Sequence, residues 1–252
     1  MAADRGQASH VRWLVLLLAG LAVAVPAAAQ TPPVTGLPAE KVDVALVLLS
    51  DVSGSINDGE FHLEKQGYRA AFADPGVIAA IRSGVRGRIA VAYVEFAGAE
   101  QQRVVVGWRV LANGHDARAF GAAIAAAPRS FAGRTSISDG IVAALALLRR
   151  APFRAQRHVI DVCGDGTNNS GPRIALARAA AARAGVVINA LALINKWPQG
   201  YLYGGYRIPG GLTRYFSDQV IGGRGSFALE ADGVASFADA MRRKLRQEIA
   251  SR

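Results

Sequence analysis

From residue 42 onward, short runs of consecutive apolar residues alternate with longer stretches whose apolar residues recur every three to four positions. A continuous apolar run suits a strand buried on both faces, and a one-sided stripe suits a helix lying against it. Strands are expected at residues 42–49 (broken only by Asp43), 88–96, 102–110, 157–163, 186–193 and 226–229. Helices are expected at 58–73, where Phe61, Lys65, Tyr68 and Phe72 share a spacing, and at 77–82, 116–127, 136–150 and 172–184. A last helix, 232–249, carries Val234, Phe237, Met241, Leu245 and Ile249 on one side. Such alternation predicts an α/β fold, a doubly wound, mostly parallel central sheet flanked by helices. Ligands of such sheets bind beyond the carboxyl ends of the strands. Residues 195–225, rich in Gly and Tyr and without clear periodicity, read as an insertion.

The first residues place the chain. Arg5 and Arg12 precede an apolar run over residues 13–25, and Pro26 then leads to Ala27, Ala28 and Ala29. This is the layout of a Sec-type signal peptide, with cleavage expected after Ala29 and a periplasmic or secreted product. An uncleaved membrane anchor is the alternative, since residues 13–29 nearly reach spanning length. The expected organisation is a signal peptide at 1–29, a proline-rich linker at 30–41 and one domain at 42–252.

Charge fits an exported chain. The sequence carries 29 Lys+Arg and 19 Asp+Glu, a net of +10, and loss of Asp4, Arg5 and Arg12 with the leader leaves +9. Outside the cell a basic protein meets acidic partners or an anionic envelope surface before nucleic acid, which drops out as a partner. A membrane is expected as a partner only if the leader is retained. Cys163, the single cysteine, has no intrachain partner, so the fold relies on its core, and its apolar neighbours suggest a small buried hydrophobe.

Three polar elements fall where strands should end. The first strand runs into Asp51-Val52-Ser53-Gly54-Ser55, which gathers a carboxylate and two hydroxyls in one turn. The strand at 157–163 ends at Gly164-Asp165-Gly166, and Gly133-Arg134-Thr135 precedes the helix between them. Oxygen-only donors on short side chains suit Mg²⁺, with Mn²⁺ and Ca²⁺ as alternatives. One Cys and no paired histidines disfavour Zn²⁺. Each residue also has a local use, as a helix cap for Ser53, Ser55, Asp58 and Thr135, or as a turn former for Asp165.

With these elements in order, the chain resembles the von Willebrand factor type A (vWA) domains, specifically an uncharacterised exported bacterial branch. Their metal-ion-dependent adhesion site (MIDAS) combines Asp-x-Ser-x-Ser, a distant Thr and a distant Asp. The resemblance implies a Rossmann-like fold and a metal site of Asp51, Ser53, Ser55, Thr135 and Asp165. It also implies that the ion accepts an acidic group from a partner. The chain departs from the family in having Gly164 where Thr often precedes the second Asp.

The function expected is an exported, metal-ion-dependent module that docks a protein or acidic ligand, and not an enzyme. No nucleophile elbow or phosphate-binding loop is present, and His10, His62, His115 and His158 stand isolated. A metal-assisted hydrolase at the same site and a scaffold acting through residues 195–225 are the alternatives. Glu95 and Asn168 are candidates for supporting the metal ligands, Asn169 for the rim. Asp161, inside an apolar strand, requires a buried partner that the sequence leaves unnamed.

Overall fold

The computed structural model describes residues 39–194, 210–233 and 236–250. The leader, residues 30–38 of the linker, Val234, and Tyr201, Tyr203 and Tyr206 lie outside the described residues. Described strands are β1 (Glu40–Asp51), β2 (Ile89–Phe96), β3 (Gln102–Leu111), β4 (Phe153–Gly164), β5 (Val187–Ile194) and β6 (Ala228–Asp232). Helices are α1 (Asp58–Ala73), α2 (Pro75–Arg82), α3 (Gly114–Ala126), α4 (Ile137–Arg149), α5 (Ile174–Arg183), α6 (Gly211–Tyr215) and α7 (Phe237–Ala250). No helix among the described residues is long and apolar enough to cross a membrane.

The six strands form one sheet in the order β3-β2-β1-β4-β5-β6, parallel throughout except that β3 runs antiparallel to β2. The doubly wound α/β reading therefore holds. β1 sits centrally, is buried from Val42 to Asp51, and starts two residues before the expected boundary. Its alternate side chains feed two cores. Val44, Leu46 and Leu48 face α1, α3 and α7, with Phe72, Phe120 and Phe237. Ala45, Val47 and Leu49 face α4 and α5, with Ile141 and Leu145.

The described part of the expected insertion, from residue 210 on, packs into the fold. Leu212 in α6, and Phe216 and Val220 in the π-helical turn that follows, are buried in the second core, and Gly222 bridges to Ile188 of β5. Three apolar residues spread over a Gly-rich stretch carry too little periodicity to announce a core element. Helix α7 seats closely on α1: a Cβ at Gly67 would stand 2.2 Å from a ring carbon of Phe237.

The partner Asp161 requires is Lys244. Both are fully buried, Lys244 from α7 pairing with Asp161 of β4 and, at 2.5 Å, with Glu248 one turn on. Asn189 of β5 donates to the same Glu248 oxygen at 3.0 Å, and Arg157 of β4 donates to the backbone carbonyls of Glu248 and Ile249. Burial opposes the charge of Lys244, but the two carboxylates outweigh it and raise its pKa. Burial, then Asp161, push Glu248 up to about 7 against the pull of Lys244. With Glu248 protonated the group is neutral, one cation to one anion.

That proton makes the stability of the fold depend on pH. The folded chain keeps it to about pH 7, whereas the unfolded chain releases it near pH 4.3. Stability therefore falls as the pH rises through that interval, by up to about 3 kcal/mol from this group. Urea unfolding of wild type and Glu248→Gln across the interval should show this slope reduced in the variant. Parallel curves would place the titration elsewhere.

Candidate metal centre

Four of the five residues form one hydrogen-bonded chain across three loops. Thr135 Oγ1 donates to Ser53 Oγ at 3.0 Å, the Ser53 and Ser55 hydroxyls lie 3.1 Å apart, and Ser55 Oγ donates to Asp165 Oδ1 at 2.7 Å. Asp51, the last residue of β1, accepts from the backbone N–H of Ser53 at 2.8 Å through Oδ1. Its Oδ2 is buried with no hydrogen-bond partner. Burial, then Asp165, raise the Asp51 pKa to about 8.

The local alternatives are taken by other residues. Asn57, not Ser53, Ser55 or Asp58, caps α1, accepting from Glu60 N–H while Glu60 accepts from Asn57 N–H. Ser136, not Thr135, caps α4. The hydroxyls of Ser53, Ser55 and Thr135 are thus left to one another and to Asp165.

Asn168 and Asn169 brace the Thr135 loop from below. Asn169 Oδ1 accepts from Thr135 N–H at 2.9 Å, and Asn168 Oδ1 accepts from Ser138 N–H at 2.9 Å. Asn168 N–H donates in turn to the Tyr215 hydroxyl, tying α6 to the site. Glu95 is fully buried, accepting from Lys65 Nζ at 2.5 Å and from Ser130 N–H at 2.9 Å. It anchors the segment that carries Arg129.

Sequence alone singled out neither Arg129 nor Glu64, nor the pairing of Lys65. Arg129 donates to the carbonyls of Val52 at 2.8 Å and Ser53 at 2.6 Å, clamping the Asp51 turn and lowering the Asp51 pKa in part. Nothing in an isolated Arg-Ser pair signals such bonds to a distant backbone. Lys65 was visible only as a cation in the apolar stripe of α1. Glu64 is buried beside it, its pKa raised by burial, then by Asp165 and Asp51.

Gly164 also finds a reason. It lies beside Asp51 across the sheet, and a Cβ there would come within 3.1 Å of the Asp51 carboxylate. Glycine leaves the room that the buried carboxylate occupies.

The donor set fits a small hard cation. Among the described residues no three His, Cys, Asp or Glu side chains gather as a metal cluster. The crevice offers instead two carboxylates and three hydroxyls, with one carboxylate oxygen buried and unsatisfied, a cost that a cation would remove. Cys163, buried with its thiol pKa raised by burial, packs in the first core away from solvent.

A family model described as "Protein of unknown function (DUF1194)" matches residues 41–252. No curated protein matches the sequence significantly. Among solved structures, the fold is similar to proximal thread matrix protein 1 from the mussel byssus, in a form whose MIDAS motif is occupied by zinc. Identity is 18% and the TM-score 0.57, over 84% of this chain and 47% of that one. It is similar also to a von Willebrand factor type A protein from Catenulispora acidiphila, with 18% identity, TM-score 0.54, and coverage of 83% and 43%. BatB from Bacteroides thetaiotaomicron matches at 18% identity and TM-score 0.51, over 83% of this chain and 100% of that one. The chain thus spans about half the length of the mussel protein. At these identities the likeness establishes the vWA fold.

Proposed function

The chain belongs to the family described as protein of unknown function (DUF1194), and from that premise we propose that it is an exported module that docks a protein through a divalent cation, Mg²⁺ foremost. The observation that carries this reading is the buried, unpartnered Asp51 Oδ2 beside the Thr135–Ser53–Ser55–Asp165 chain. Zinc at the MIDAS motif of a protein of similar fold supports a cation here, and oxygen-only donors favour Mg²⁺ over zinc. When bound, the cation supplies a coordination position for a carboxylate from outside. Ser53, Ser55 and Thr135 would hold it with uncharged oxygens, Asp51 and Asp165 orient Ser53 and Ser55, and Arg129 fixes the turn that presents them. Neutral donors leave a divalent ion short of negative charge, which is what draws an acidic group of a partner. The signal-like residues 1–29 support export to the periplasm or beyond.

Titrating Mg²⁺, Mn²⁺ and Ca²⁺ into chelator-treated protein while following thermal unfolding tests the reading. Saturable stabilisation is expected, about 2.7 kcal/mol at a hundredfold excess over Kd, and none in Asp51→Asn. A wild type indifferent to all three ions would sink it. Phosphoester turnover that needs the ion and is lost in the variant would replace docking by hydrolysis.

A further inference from the structure

The two ends of the sheet differ in charge. At the end opposite the metal crevice, where the parallel strands begin and α2, α4 and α5 finish, Lys41, Arg82, Arg86, Arg149, Arg154 and Arg183 are all exposed. Lys41 and Arg154 lie side by side in the β1–β4 register. The carboxylates of this end are engaged within the fold. Glu40 pairs with Arg88, Asp43 accepts from the N–H groups of Arg86 and Arg88, Asp74 caps α2, and Asp116 accepts from Ala112 N–H. Exposed acids such as Asp58, Glu100, Asp232 and Asp239 belong to the crevice end, at the starts of α1 and α7 or the far ends of β2 and β6. Among the described residues the acids of this pole are thus taken up within the fold, whereas the exposed arginines of the crevice end, Arg103, Arg134 and Arg173, share it with those exposed acids.

We infer that this arginine-rich pole docks on an anionic phospholipid surface. One observation favours lipid over other polyanions. The pole presents basic side chains from separate elements, β1, α2, α4, β4 and α5, around the whole strand-start end, which matches an extended charged plane better than one acidic peptide. The inference shares export with the preceding reading and nothing of the metal site. Basic side chains near an anionic leaflet strengthen binding about five-fold each, and salt weakens it.

The test is co-sedimentation of residues 30–252 with phosphatidylglycerol–phosphatidylcholine vesicles, against phosphatidylcholine alone, in chelator and at two salt concentrations. That chain keeps the compact unit Ala39–Arg252, whose sheet and cores are built from its own residues. Binding is expected to the anionic vesicles only. It should fall at least about 25-fold in Arg149→Glu/Arg154→Glu, at five-fold for each lost side chain. It should change little in Arg103→Glu/Arg173→Glu, which alters net charge equally near the crevice end. Thermal unfolding verifies that both variants fold. No sedimentation at low salt, equal losses in the two variants, or displacement from vesicles by a short DNA duplex would each overturn the inference. Because metal is absent throughout, failure here leaves the cation reading untouched, and failure of that reading leaves this one.

Discussion

Lys244→Met will destabilise the domain by about 3–5 kcal/mol, the cost of stripping a buried ion group of its cation. Lys244 is fully buried and faces Asp161 and Glu248, also buried. Without it, the buried carboxyl groups of Asp161 and Glu248 lose the cation that pairs with both, and a buried group without its partner costs free energy. A methionine of similar length fills the volume, so the loss reads charge and not packing. The triple variant Lys244→Met/Asp161→Asn/Glu248→Gln removes both stranded acids and should recover most of the loss. Urea unfolding of wild type, single and triple variants measures this. A single-variant loss below about 1 kcal/mol would show that Lys244 does not neutralise the group. Should the single variant not accumulate, a folded triple variant still carries the result.

Asp51→Asn should reverse its effect with metal. In chelator, the folded wild type holds the Asp51 proton up to about pH 8, while the unfolded chain loses it near 3.8, the ordinary value for the group. Wild-type stability therefore falls as the pH rises through that window, by about 5 kcal/mol at its top. An amide is neutral at every pH, so Asp51→Asn should be more stable than wild type without metal at pH 8. Saturating Mg²⁺ should raise wild type and leave the variant where it was, so the two stability curves approach or cross. A variant less stable than wild type in chelator at pH 8 would mean that Asp51 is not held against its charge.

Much of the fold was legible because it depends on local pattern. The four apolar runs at 42–49, 88–96, 157–163 and 186–193 became β1, β2, β4 and β5 with ends shifted by a few residues. The five crevice residues were legible for a different reason: each sits directly after a strand or before a helix, where topology leaves few places to point. What remained hidden depends on long-range partners. Lys65 and Lys244 each interrupt an apolar stripe, and one helix in isolation cannot distinguish a paired buried lysine from one reaching out to water. The Arg129 clamp spans a gap of 77 residues to the Val52 carbonyl. Phe216 and Val220 were hidden by the glycines around them, so their place in the core was not legible.

The length of β1 acquires a mechanical meaning from the two poles it joins. Its 12 residues span roughly 40 Å from the basic end to Asp51. A charged surface at one end is screened within about 8 Å at physiological ionic strength, so several screening lengths separate it from the crevice. The strand then acts as a spacer. It holds the crevice facing away from a bilayer, at a height where the surface potential neither draws extra cations to it nor repels an acidic partner.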